Sequence, residues 1–188
     1  MTSARVSARD VAAEIRRRLP EVGVKKLHKL LYYCQGHHLA AFGTPLFPQS
    51  IAAWDMGPVV GELWHEEKTS APVPDPAALD QAGLNTVGYV VSRYGRLTGR
   101  DLEVLSHGEP PWQEAERRRS AARKDTVRIS AEVMAQYFAS DTDDDLDVDP
   151  AELESLLAGS DERRRAASST PDDLERLRRR LLEWQPTG

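Results

Sequence analysis

The sequence contains very little cysteine: Cys34 is the only one in 188 residues, so no disulfide can form within the chain. Such scarcity is typical of proteins that work in a reducing compartment, and we expect a cytoplasmic location. No apolar run approaches the roughly 20 residues that a membrane-spanning helix needs. Residues 1–20 also lack the apolar segment of a secretory signal, so we expect no export.

The motifs of common catalytic and metal sites are missing as well. The sequence has no CxxC or HExxH pair, no GxSxG nucleophile turn and no glycine-rich phosphate loop. We therefore predict a protein that is not an enzyme and that uses no cofactor and no metal.

Charge is unevenly distributed along the chain. The net charge of -5 argues against a general nucleic-acid-binding protein. Arginine triplets begin at Arg16, Arg117, Arg163 and Arg178, whereas the run DTDDDLDVD at 141–149 has no basic residue. Such blocks are usually solvated or disordered, and the alternative is that they bind a charged protein partner. The triplets are also the only support for a transcriptional regulator, and no helix-turn-helix signature accompanies them.

Apolar residues recur mostly at helical spacing, which predicts a mainly α-helical, compact domain. Ser7 followed by Asp10 predicts a capped helix start, and Pro20 closes that helix. A second helix is predicted from Val24 to Phe42, with Gly43 as its C-cap.

Later segments add helices and one short extended piece. Pro58 is predicted in the first turn of a third helix. Thr98 and Asp101 predict a second capped start, and the prolines that begin at Pro110 interrupt and restart the helix. TVRIS at 126–130 predicts a short β element.

The predicted organisation is a compact domain at 1–140, an acidic linker at 141–149 and a helical extension at 150–188. One stripe of the last helix is apolar and consists of Leu174, Leu177, Leu181 and Trp184. A lone short helix is marginal in water, so this stripe needs a surface to pack on. That surface is the protein's own core, a second copy in a homodimer, or a partner.

The stretch KLHKLLYYCQGHHLAAFG at 26–43 holds Cys34 and three of the five histidines. At 100° per residue, Cys34 and His38 share the apolar face of this helix. They make at most half of a zinc site, which His65 and His107 would complete. A metal- or thiol-dependent enzyme centred on Cys34, His38 and His107 is therefore an alternative. We favour a structural role, because cysteine is among the most commonly buried residues.

Four blocks of the sequence resemble the Panacea domain of SocA-like antitoxins, in the family's order over about Arg9 to Ala139. They are KLHKLLYYCQGHHLA, GTPLFPQSIAAWDMGPVVGELW, LSHGEPPWQEA and ISAEVMAQYF. The chain departs from the family at Cys34 and His37, where Ala and Trp are usual, and at Met56, where an aromatic often stands. Residues from Asp141 onward lie outside the family pattern.

This resemblance implies a bacterial or phage antitoxin that binds and neutralises a protein toxin encoded by an adjacent gene. It also admits a bacterial protease as a partner, because SocA is an adaptor that presents its toxin to a protease. The resemblance implies no membrane partner.

Two sets of residues follow from these considerations. Exposed aromatic, basic and stripe residues are candidates for toxin binding, since such side chains often anchor interfaces: Lys25, Lys26, Lys29, Tyr32, Trp64, His65, Leu174, Leu177, Arg178, Arg179, Leu181 and Trp184. Residues of the matched blocks that we expect to pack rather than bind are Leu27, Leu30, Leu31, Tyr33, Trp54, Gly57, Pro58, His107 and Trp112.

Overall fold

The computed structural model describes residues 6–67, 79–123 and 126–143. In these segments it is mainly α-helical with one small antiparallel sheet, which confirms the predicted fold class. The helices are α1 (Ala8–Arg18), α2 (Val24–Phe42), α3 (Gly61–Glu67), α4 (Gln81–Tyr94), α5 (Gly99–His107), α6 (Pro110–Ala122) and α7 (Ala131–Asp143). The strands are β1 (Ile51–Trp54), β2 (Gly57–Val60) and β3 (Val127–Arg128).

The predicted helix ends are confirmed where local side chains determine them. Ser7 and Asp10 form a complete capping box at the start of α1, and Thr98 and Asp101 form another at α5. Gly43 ends α2 in the left-handed conformation with φ of 68°, which glycine adopts without steric cost.

The sheet has the order β2-β1-β3, and all pairings are antiparallel. Pro58 lies in β2 opposite Ala53, so the prediction that it begins a helix is wrong. Proline is compatible with an edge strand because its missing N–H group is not needed on the unpaired side. The third helix instead begins at Gly61, after the strand ends.

Helix α2 is the centre of the fold. Every residue from Leu27 to Leu39 is buried, since α1, α4, α5 and β2 all pack against this helix. The ring of Phe138 from α7 lies so close to Gly36 that an added Cβ would be 2.2 Å from it. The spacing of its apolar residues predicts a single buried face on this helix. That prediction is wrong, because residues on every side of the helix are buried.

The first compact unit of the chain ends at Ala139, and α7 continues to Asp143. The division of the chain at residue 140 stays a prediction. The acidic linker beyond Asp143 and the predicted stripe of the extension lie outside the described residues. None of the helices in the described segments is long and apolar enough to cross a membrane.

Candidate functional site

Two polar residues of α2 pair with the outer edge of β2. The Nδ1 atom of His28 accepts a hydrogen bond of 3.2 Å from the backbone N–H of Val60. Lys29 donates from Nζ to the carbonyl of Pro58 over 3.1 Å. These backbone groups face away from β1, so the two side chains complete the hydrogen bonding of the strand edge.

Burial affects the titration of both residues. It lowers the pKa of His28 to about 4, which keeps the imidazole neutral and able to accept the Val60 N–H. Burial also lowers the pKa of Lys29 to about 8, although the carboxylate of Glu103 acts in the opposite direction. Lys29 is only 1% exposed, so its predicted place on a toxin-binding face is wrong.

Two tyrosines of α2 converge on one carboxylate. The hydroxyls of Tyr32 and Tyr33 donate to the two carboxyl oxygens of Glu109 over 2.8 and 2.9 Å. Glu109 is 2% exposed and is the N-cap residue of α6, where a negative charge complements the helix dipole. Burial, followed by the charge of Glu109, raises the pKa of Tyr32. Tyr32 is fully buried, which also contradicts its prediction as a binding residue.

The cysteine and the two C-terminal histidines of α2 lie in separate surroundings. Burial raises the pKa of the fully buried Cys34 thiol, which disfavours the thiolate that nucleophilic chemistry needs. The Nδ1 atom of His38 lies 2.9 Å from the hydroxyl of Thr86, and Nε2 of His37 lies 3.0 Å from the hydroxyl of Tyr94. Because Thr86 already donates to a backbone carbonyl, His38 is the donor in its pair.

The third residue of the alternative site, His107, belongs to another part of the fold. Its ring stacks on Trp112 with centroids 3.9 Å apart and an interplanar angle of 16°. Burial lowers its pKa. Cys34, His38 and His107 thus have separate surroundings. The described segments contain no group of His, Cys, Asp and Glu that could hold a metal ion.

Several of the residues expected to pack are buried, whereas Trp54, His107 and Trp112 are half-buried. Leu27, Leu30 and Leu31 have no exposed surface, and the ring of Tyr33 stacks on Tyr94 at 4.0 Å. Gly57 begins β2 with φ of 93°, and a Cβ there would lie 2.8 Å from the side chain of Lys29.

One small cleft opens between α1 and α3. It has a volume of about 190 Å³, and two pairs of its polar groups bond to each other. Arg9 forms an ion pair with Glu66, and the backbone N–H of Ala8 donates to Gln49. These contacts attach α1 to its neighbours, and the cleft presents no cluster of reactive side chains.

The surface candidates are more promising on α3 than at the start of α2. Trp64 is half-buried, with its ring 5.8 Å from Trp54, and His65 is exposed. Lys25 forms an ion pair with Glu103, and Lys26 donates to a backbone carbonyl. Lys25 and Lys26 are thus half-exposed and already hold internal partners, and their role in binding stays a prediction.

The turn between β1 and β2 carries a surface residue that sequence reasoning missed. Asp55 and Met56 form this two-residue turn, and Met56 is 47% exposed. The glycine at position 57 is the sequence signal that could have identified a hairpin, because a glycine with positive φ often follows a tight turn between two strands. Such a hairpin places Met56 at its tip.

The remaining candidates for toxin binding lie outside the described residues. They are Leu174, Leu177, Arg178, Arg179, Leu181 and Trp184.

Comparison with known proteins identifies one family. Residues 27–113 match the family model described as "Antitoxin SocA-like, Panacea domain". A search of curated proteins and a search of solved structures each find no match. The matched segment begins in α2 and ends early in α6, so the block ISAEVMAQYF at 129–138 lies beyond it. The buried polar residues of α2 therefore lie within the matched segment.

Proposed function

We propose that the protein is an antitoxin that neutralises a protein toxin by binding it directly, because residues 27–113 match the family model of the SocA-like antitoxin Panacea domain. The family match is the observation that carries the proposal. We infer further that the toxin is encoded by the adjacent gene and that the complex is stoichiometric.

The interior of the domain supports binding rather than catalysis. The polar side chains that suggest a reactive site are engaged in bonds that hold elements together, and Cys34 is buried with a raised thiol pKa. A function that resides on the outer surface is consistent with this arrangement.

The test is co-expression of the adjacent gene with and without this protein. We expect the neighbour alone to stop growth and the pair to restore it. We also expect the two purified proteins to elute together from a sizing column. If the neighbour is harmless, or stays toxic beside this protein, the proposal is wrong.

The same cells separate simple binding from an adaptor role. If the protein only masks its toxin, the amount of toxin stays constant while growth recovers. If it presents the toxin to a protease, the toxin's half-life shortens when the protein is present. Pulse-chase labelling of the toxin distinguishes the two.

A further inference from the structure

The hairpin tip, together with the end of α6, forms a continuous exposed surface. Trp54 packs edge-on against Trp64 and donates from its indole N–H to Thr126 over 3.2 Å. Asp55, the next residue, forms an ion pair with Arg119 of α6. Met56 stands at the tip between these contacts. The hairpin is therefore fixed to α6, and its tip is presented on a rigid support.

Several arginines lie on the elements that flank this tip, α6 and β3. Arg119 is occupied by Asp55 and Glu116, and its side chain is 17% exposed. Arg118 is 52% exposed, forms an ion pair of 4.0 Å with Glu114, and donates to the backbone carbonyl of Arg128, which joins α6 to β3. The hairpin surface is defined as Trp54, Met56, Trp64, Arg118, Arg123 and Arg128, and all three of its arginines are exposed.

The composition of the hairpin surface is that of a binding site. Tryptophan, methionine and arginine are enriched at protein interfaces, and tryptophan and arginine dominate their energetic hot spots. A half-exposed tryptophan pair offers large rigid area, and Met56 adds a side chain that adapts to the shape of a partner. Arg123 and Arg128 add exposed positive charge to this surface of an acidic protein.

The chemistry favours a protein partner over a nucleic acid. Met56 gains free energy from apolar atoms of a partner, which a phosphate backbone does not offer.

We propose that the hairpin surface is where the toxin binds, and that the toxin meets it with an apolar pocket for Met56 ringed by acidic side chains. This rests on the proposed antitoxin function and adds the surface and the chemistry of the partner. Complementary charge of this kind speeds encounter and selects the partner, while the apolar centre supplies affinity.

The experiment titrates purified toxin from the adjacent gene against full-length variants. Met56→Glu and Arg128→Glu are each expected to raise Kd at least about tenfold, the effect of losing a hot-spot contact or opposing the partner's charge. Arg128→Lys, which keeps the charge, is expected to stay near the wild-type value. Raising sodium chloride should weaken wild-type binding and leave Arg128→Glu less affected.

The matched control is Phe42→Glu. Phe42 is 51% exposed at the far end of α2, so a charge there tests for general damage from loss of exposed apolar surface. We expect it to bind as the wild type does. Melting temperatures of the Met56 and Arg128 variants should agree with that of the wild type, since these side chains are exposed; that of Phe42→Glu is measured separately, because the ring of Phe42 also packs on His38 at 4.6 Å.

Four outcomes overturn the proposal. Wild-type affinity in Met56→Glu and Arg128→Glu places the toxin elsewhere while leaving the antitoxin function intact. Equal losses in Phe42→Glu remove the specificity of the hairpin surface. Binding of a short DNA duplex that depends on the same arginines assigns this surface to nucleic acid. A wild-type protein that neither binds nor neutralises its neighbour's product overturns the proposed function as well, so the failures are distinguishable.

Discussion

Glu109 shows how one residue joins three parts of the domain. Its carboxylate accepts the hydroxyls of Tyr32 and Tyr33 while its backbone begins α6. Hydrogen bonds to a charged group contribute about 1.5–3 kcal/mol each, and a buried group that loses its partner costs a similar amount. This carboxylate therefore contributes to stability well beyond an exposed side chain of the same type.

We expect Tyr32→Phe to lower the free energy of unfolding by about 2 kcal/mol, because it removes one hydroxyl donor from a buried carboxylate. Urea denaturation measures the change. Tyr89→Phe is the control, because Tyr89 is 39% exposed and its hydroxyl bonds an arginine at the surface. Equal effects of the two substitutions would contradict a special role for the Glu109 pair.

His28 makes stability depend on pH. In the folded protein its pKa is about 4, against an ordinary value of 6.5. Between these values the unfolded chain binds a proton that the folded chain does not, so the free energy of unfolding falls as pH is lowered from 6.5 to 4. The loss attributable to this group reaches about 3 kcal/mol at the low end.

The measurement is urea denaturation at several pH values for wild type and His28→Gln. We expect the substitution to reduce the fall in stability between pH 6.5 and 4, because glutamine does not titrate. Parallel pH profiles for the two proteins would show that His28 is not the group responsible.

At the scale of elements, α2 shows what sequence patterns can and cannot predict. Its bounds were predicted from Val24 to Phe42 and are confirmed, because the C-cap is a local signal. Its burial on all sides was not predicted, because the partners of its polar residues come from distant segments. Lys29, for example, is satisfied by Pro58, 29 residues further along the chain. Periodicity assumes that polar side chains face water, and here they face other elements.

The same reason explains the incorrect helix start at Pro58. A proline followed by a run of helix-forming residues is locally compatible with a first turn and with an edge strand. Whether Pro58 begins a helix or lies in a strand depends on its contacts with β1 and with the side chains of α2. These contacts come from distant parts of the chain, so the local sequence does not predict them. The candidate binding residues differ in the same way. Trp64 is half-buried and His65 is exposed, and their role in binding stays a prediction, while the position of Met56 follows only from the hairpin geometry.

The packing of α7 on α2 gives a test at this scale. Gly36→Ala places a Cβ 2.2 Å from the ring of Phe138, so the two helices must separate. Overpacking is expected to lower the free energy of unfolding by about 2 kcal/mol, and replacing a helical glycine by alanine to raise it by about 1 kcal/mol. We therefore expect Gly36→Ala to be destabilising.

Gly88→Ala in α4 is the matched control for that substitution. There the nearest atom to an added Cβ is the end of the Arg18 side chain at 2.9 Å, which can move. We expect stability to be unchanged or slightly increased. Thermal melts of both variants decide the comparison, and an unaffected Gly36→Ala would show that α7 is not held at this contact.

At the scale of the whole molecule, the family match covers only part of the chain, and the predicted linker and extension lie outside it. The match covers residues 27–113, whereas the predicted acidic linker and helical extension begin after residue 140. The extension carries the apolar stripe and the arginines that we predict to bind a partner, so its contribution can be tested separately from that of the domain.

We expect deletion of Asp141–Gly188 to weaken neutralisation of the co-expressed toxin. A chain that ends at Asp143 keeps all of α7 and is the comparison that separates loss of the extension from damage to that helix. Growth rescue and Kd for the toxin are the readouts. Full protection by both shortened chains would show that the extension is dispensable and that the toxin is held by the domain alone.

The capped edges of the sheet limit how this domain can associate with others. His28 and Lys29 occupy the outer backbone groups of β2, and Arg118 occupies the carbonyl of Arg128 in β3. An incoming strand needs free backbone donors and acceptors to extend a sheet, and these side chains compete for them. The domain is thus protected from edge-to-edge aggregation at its sheet, and a partner must recognise side chains rather than add a strand.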